Sequence, residues 1–221
     1  MGVAKLNIGG NPFIGAFGIA TESFAIIGNT ATQAERRLLS ENMGVDLVTT
    51  SVDGSDLIGI YSVANAGCVL MPNLVRDLEL GNIRKALPGK RIERFQSDLN
   101  ALGNNILAND KVAIVNPDYS ADEAKAIGEL LDVEVVRLAI GGLVTVGANN
   151  VLTNKGIVMN NRASEADMEM LKELVGEISQ TTANLGSLSV GLSVIANSKG
   201  ILVGAETSGF ELARIAEGLG L

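Results

Sequence analysis

Apolar and polar positions along this chain follow two alternating rhythms. Short apolar runs such as DLVTTSV (46–52), LIGIYSVA (57–64), VEVVRLA (133–139) and GIVM (156–159) have the length and composition of buried strands. Between such runs lie segments with apolar residues at helical intervals. Ala124, Ile127, Leu130 and Leu131 form one, and Met168, Leu171, Leu174 and Val175 another. Each opens on a hydroxyl residue with an acid three positions later: Thr32 with Glu35, Ser120 with Glu123, Ser164 with Asp167, Ser208 with Glu211. That spacing predicts a capping box, which satisfies the first free N–H groups of a helix. Only the segment around Gly81 is irregular, because a glycine falls inside its predicted helix. Asparagines separate paired apolar runs, and asparagine tolerates the left-handed backbone of tight turns.

The pattern repeats. NNILANDKVAIV (104–115), NNVLTNKGIV (149–158) and SVIANSKGIL (193–202) are near copies, and IYSVANAGCVL (60–70) is a fainter one. Gly15, Gly59, Gly103, Gly147 and Gly191 are spaced by 44 residues. A second ladder of Gly10, Gly54, Gly142 and Gly186 keeps the same period, with Asp98 at its missing rung. Five periods account for the 221 residues, predicting one domain over 1–221 with units starting near 11, 55, 99, 143 and 187. The turn residues Asn65, Asn109, Asn154 and Asn197 have gaps of 44, 45 and 43, with Thr21 in the first copy. This spacing predicts a one-residue slip, a bulge, in the fourth unit. Each unit reads as strand, turn, strand, helix, strand. The last lacks its third strand, and the spare apolar segment at residues 3–8 has the register to supply it. A closed ring follows, in which no unit leaves its sheet edge open at the ends of the array.

Composition narrows the function. The chain is 47% hydrophobic but 3% aromatic, so its core is aliphatic. A net charge of −8 argues against wrapping duplex nucleic acid, which needs clustered cations. There is no histidine, which removes Cys–His and Ser–His–Asp catalysis. No GKS or GKT loop and no carboxylate cluster at ligand spacing is present, so neither nucleotide hydrolysis nor a metal or cofactor site is expected. Cys68, the one cysteine, opens an apolar strand and reads as a small core residue in a reducing compartment. With neither a signal peptide nor a membrane span, the expected location is cytoplasmic. Arg84, Lys85, Lys90, Arg91 and Arg94 form the densest basic stretch and read as a solvated helix end rather than an RNA-facing patch. Glu165, Asp167, Glu169 and Glu173 read as a wet helix face.

NALGNNILANDK (100–111), TVGANNVLTNKG (145–156), SVGLSVIANSKGILVGAETSGFELARIAEGLG (189–220) and LIGIYSVANAGCVLMPN (57–73) resemble the archaeal and eukaryotic translation initiation factor 6 family. The likeness spans the chain, and the short C-terminus matches the archaeal form. The resemblance implies a pentein-type α/β propeller of five-fold pseudosymmetry. It implies a monomer that binds the large ribosomal subunit, chiefly ribosomal protein uL14 near the sarcin–ricin loop. It thereby blocks premature joining of the small subunit and takes part in subunit maturation. Release would require a translocase-like GTPase and a Shwachman–Diamond-type protein. Leu102, Gly103, Asn104 and Asn105 match one contact loop of the family, and Asn184, Leu185, Ser187 and Leu188 another. Leu185 stands where relatives carry Lys or Arg. Two other readings remain beside it: a guanidine-modifying enzyme of the same fold, which the missing histidine disfavours, and a ring-shaped binding protein with another partner.

Overall fold

The computed structural model describes residues 2–221. Among them, five three-stranded sheets repeat one plan. In the first unit Gly18–Ala20 pairs antiparallel with Phe24–Gly28, which pairs parallel with Asp46–Thr50 after the helix Gln33–Met43. The fifth unit completes its sheet from the other end of the chain. Gly2–Leu6 lies parallel to Gly200–Gly204, from Gly2 opposite Gly200 to Leu6 opposite Gly204. The segment predicted to close the array does so.

The middle strands Phe24–Gly28, Cys68–Pro72, Val112–Val115, Gly156–Asn160 and Gly200–Gly204 are buried along their whole length. Their alternating side chains serve two cores. Ala25 and Ile27 pack with Leu202 and Ile195 of the fifth unit, whereas Phe24 and Ile26 face Val69 and Met71 of the second. The hydrophobic core is therefore five seams between neighbouring sheets, each covered by one long helix. This explains why the middle strands read as unbroken apolar runs.

All four predicted capping boxes form. The second unit has Arg76 at the equivalent place, and its N–H still donates to Glu79 at 2.9 Å. Gly81 does not interrupt the helix Asp77–Ala86, because its missing side chain faces open space. Two expectations need correction. The opening strand of each unit is mostly a single helical turn: Ile58–Tyr61 is helical and only Val63–Ala64 is extended. A four-residue helix carries too little periodicity to show in sequence. The fourth unit also has no slip. The turn-closing N–H donors are Thr21, Asn65, Asn109, Thr153 and Asn197, an unbroken 44-residue register. Thr153, not Asn154, occupies the turn position. Its hydroxyl accepts from the Lys155 N–H at 3.2 Å, as the Thr21 hydroxyl accepts from Ser23 at 3.2 Å.

Candidate functional site

The inner turns Ile14–Ala16, Ile58–Tyr61, Leu102–Asn105, Val146–Asn149 and Val190–Ser193 form the hub. Their glycines explain the 44-residue ladder. A Cβ on Gly59 would lie 1.8 Å from the Gly15 carbonyl oxygen, on Gly103 2.0 Å from that of Gly59, and on Gly147 2.0 Å from that of Gly103. Gly191 meets Gly147 at 1.9 Å, and Gly15 meets Gly191 at 2.2 Å, so the series returns to its start. Each contact has room for a Cα–H···O approach and nothing larger. A cavity of about 110 Å³ lies at the hub, lined by these glycines and by aliphatic residues of the short strands.

Because each middle strand runs away from its hairpin turn and each long helix runs back, all five helices start on one face of the disc. The inner turns and the loops between units lie there too. The acids of the capping boxes hold those loops as well as their helices. Glu35 accepts from Gly9 N–H, Glu79 from Asp53 and Gly54, Asp167 from Gly141, and Glu211 from Gly186. Glu123 accepts instead from the Ser97 hydroxyl. Asp167 is thus a structural acceptor rather than part of a wet face. Burial alone would raise the Glu211 carboxyl, but donors from Ser208, Thr182 and Gly186 outweigh it and hold the group at about 2.

Both predicted contact segments lie on this helix-start face, separated by the inner turn of the fourth unit. Their residues divide by role. Leu102 is fully buried in a seam, and Gly103 is a member of the glycine ring. Asn105 is buried, donating to the Ala101 carbonyl at 2.9 Å and accepting from Asn116 at 2.8 Å. Asn184 is buried and donates to the Pro12 carbonyl at 2.9 Å and the Ser193 hydroxyl at 3.0 Å. These four brace the ring. Asn104 is half-buried, and its Oδ1 has no hydrogen-bond partner. The equivalent residues of the other units are Ala16, Ile60, Ala148 and Leu192, so the scaffold needs no amide there. Ser187 and Leu188 are half-buried, and Leu185 is 73% exposed.

Sequence reading missed the apolar character of this face. Leu74, Leu78, Val144, Leu185 and Phe210 are exposed on it, leaving Val3 and Met170 elsewhere among the described exposed large hydrophobics. Aligning the five units with one another would have revealed them. Three cations of the basic stretch are held by backbone carbonyls, while Lys85 and Arg91 are exposed. Arg84 donates to the Ile92 carbonyl at 2.9 Å, Lys90 to Ala66 at 2.7 Å, and Arg94 to Val75 at 2.9 Å. Cys68 is buried, which pushes its thiol up to about 11. No group of three or more potential metal ligands occurs among the described residues. None of their helices is long and apolar enough to cross a membrane.

A family model described as the eIF-6 family matches residues 3–218. The chain belongs to the eIF-6 family. This eIF-6 member is 37% identical over 226 residues to "Translation initiation factor 6" of Pyrococcus abyssi, covering 100% of both chains. It is 39% identical over 218 residues to the protein of that name from Methanocaldococcus jannaschii, covering 96% of this chain and 95% of that one. In fold, the eIF-6 member is similar to a dimethylarginine dimethylaminohydrolase, with a TM-score of 0.54 and 13% identity over 97% of this chain and 89% of that one. The N-terminal domain of ArgZ, a cyanobacterial arginine dihydrolase, gives 0.52 and 14%, over 86% of this chain and 72% of that one. At such identities the likeness concerns architecture. It supports the pentein-type five-fold α/β arrangement.

Proposed function

We propose that this protein is a translation initiation factor that binds the large ribosomal subunit and keeps the small subunit from joining it. The observation that carries the reading is the end-to-end 37% identity with an archaeal translation initiation factor 6. The geometry suits the role. A disc closed on itself, with its glycines in backbone contact, is a stiff body, and exclusion needs stiffness and an interface rather than chemistry. An interface of roughly 1,200–2,000 Å² in total is sufficient.

We place the docking surface on the helix-start face, around Asn104 and the loop Leu185–Leu188. Leu102, Gly103, Asn105 and Asn184 set the shape of that surface from within. The partner is ribosomal protein uL14 beside the sarcin–ricin loop, and the acidic chain favours a basic protein over bare RNA. The protein acts as a cytoplasmic monomer, takes part in subunit maturation, and is released by a translocase-like GTPase with a Shwachman–Diamond-type protein. An enzymatic role is disfavoured by the chain itself. It has no histidine, and its single thiol is buried and protonated at neutral pH.

Sedimentation with purified subunits tests the reading: co-migration with the large but not the small subunit is expected, and binding to neither refutes it. Asn104→Arg should lower affinity by about tenfold or more while leaving the melting temperature unchanged. Unaltered affinity would remove Asn104 from the interface.

A further inference from the structure

The loop that leads into the fifth unit differs from the three other bridged loops on the helix-start face, and the internal repeat provides the control. The loop between units is closed by bridges Ile8 to Asn11, Val52 to Ser55 and Ile140 to Leu143, but by Ala183 to Ser187 in the fifth. One extra residue is enclosed there. Asn184 consequently takes positive φ, at 47°, ahead of Leu185 and Gly186 at 58° and 102°, where the other bridged loops have only the last two positions left-handed, as at Gly9 and Gly10, Asp53 and Gly54, and Gly141 and Gly142. At the position of Leu185 the other units have Gly9, Asp53, Ser97 and Gly141. A leucine in left-handed backbone is unfavourable and contributes nothing to the seams, since it is 73% exposed.

Phe210, the second residue of helix Gly209–Gly218, is 75% exposed; of the equivalent Ala34, Leu78, Asp122 and Ala166, Leu78 is exposed to the same 75%, so what is peculiar to the fifth unit is the pairing of such a residue with an exposed leucine in the loop beside it. The two residues are tied together through Glu211. Its carboxylate accepts from Leu185 N–H at 3.4 Å, Gly186 N–H at 2.9 Å and Ser208 N–H at 2.7 Å. The strained loop and the first turn of the helix are therefore one fixed knob, and two large apolar side chains project from it. Preorganisation of this kind lowers the ordering cost of binding.

We propose that Leu185 and Phe210 form an apolar anchor that seats in a hydrophobic hollow on a protein of the large ribosomal subunit. The inference rests on the functional reading above and adds the chemistry of one contact. Continuity of surface argues for this occupant. The loop runs through Ser187 and Leu188 into the inner turn Val190–Ser193, which adjoins Val146–Asn149, which adjoins Leu102–Asn105 with its unpartnered amide. The Glu211 carboxylate is turned inward onto its donors, so it does not present its charge beside the pair.

Leu185→Gly combined with Phe210→Ala recreates the pairs Gly9 with Ala34 and Gly141 with Ala166, and so preserves the fold. This double variant should bind the large subunit about tenfold more weakly than wild type or worse, by the same factor at low and high salt. Asn104→Arg serves as the control for the shared face. If wild type binds and the double variant binds equally well while Asn104→Arg does not, the anchor is refuted and the functional reading stands. A deficit that vanishes at high salt would refute an apolar contact. Self-association of the wild type, abolished in the double variant without loss of subunit binding, would assign the pair to a second copy instead. Wild type binding neither subunit would overturn both readings.

Discussion

Gly59 shows how tightly single residues are specified. The Gly15 carbonyl lies 1.8 Å from where its Cβ would be, so Gly59→Ala has to push apart two inner turns of the hub. A loss of about 3 kcal/mol or more is expected, measured by denaturant unfolding. Gly81→Ala is the contrast, because its added methyl meets nothing within 4 Å and the helix gains roughly 0.5–1 kcal/mol. Sequence spacing found the hub glycines but not their reason, which is the approach of one unit's backbone to the next. The same limit bears on the predicted contact residues. Leu102 and Asn105 match a contact segment, yet both are buried. Sequence alone does not separate a side chain that meets a partner from one that holds its neighbour in place. Leu185 and Phe210 stand out only when the five units are compared with one another.

Elements were legible wherever a local rule sets them. The capping boxes at Thr32, Ser120, Ser164 and Ser208 were readable because hydroxyl and acid stand three residues apart on the chain. The second use of those acids, as acceptors for the loops between units, was not readable, because the loop donors stand about 26 residues away. The inner turn Ile58–Tyr61 reads as strand in the sequence because tertiary packing, not local propensity, bends it. The turn of the fourth unit was misassigned because Thr153 replaces the usual asparagine while an asparagine follows it. That correction makes a prediction. Asn109 Oδ1 accepts from both Lys111 and Val112 N–H, whereas the Thr153 hydroxyl accepts from Lys155 alone. Thr153→Asn should therefore add one bond and stabilise the protein by about 0.5–1 kcal/mol in thermal unfolding. A loss of stability would show that Asn154 sets the register after all.

At the scale of the whole molecule, five carboxylates on one face share one electrostatic condition. Glu35, Glu79, Glu123, Asp167 and Glu211 are all held below their ordinary values by hydrogen bonds that exceed any opposing effect of burial. A lowered carboxyl contributes stability above its unfolded value, and that contribution is lost as pH falls toward its folded one. For Glu211 the window runs from 4.5 down to about 2, and the contribution at neutral pH is of order 3 kcal/mol. Unfolding free energy measured across that range should decline steeply for wild type and less steeply for Glu211→Gln. Parallel curves would mean that this group does not govern acid sensitivity. The architecture itself was legible at this scale, since the period, the number of units and the closing strand all follow from spacing. The pairing of Gly2–Leu6 with Gly200–Gly204 also fixes an order of events during synthesis. The earliest residues to leave the tunnel of a working ribosome wait without an edge to join until nearly all the rest have been made. Closure is thus the final event of maturation, and a half-made copy has neither its first seam nor its last. Only a finished molecule can present the complete surface of the ring.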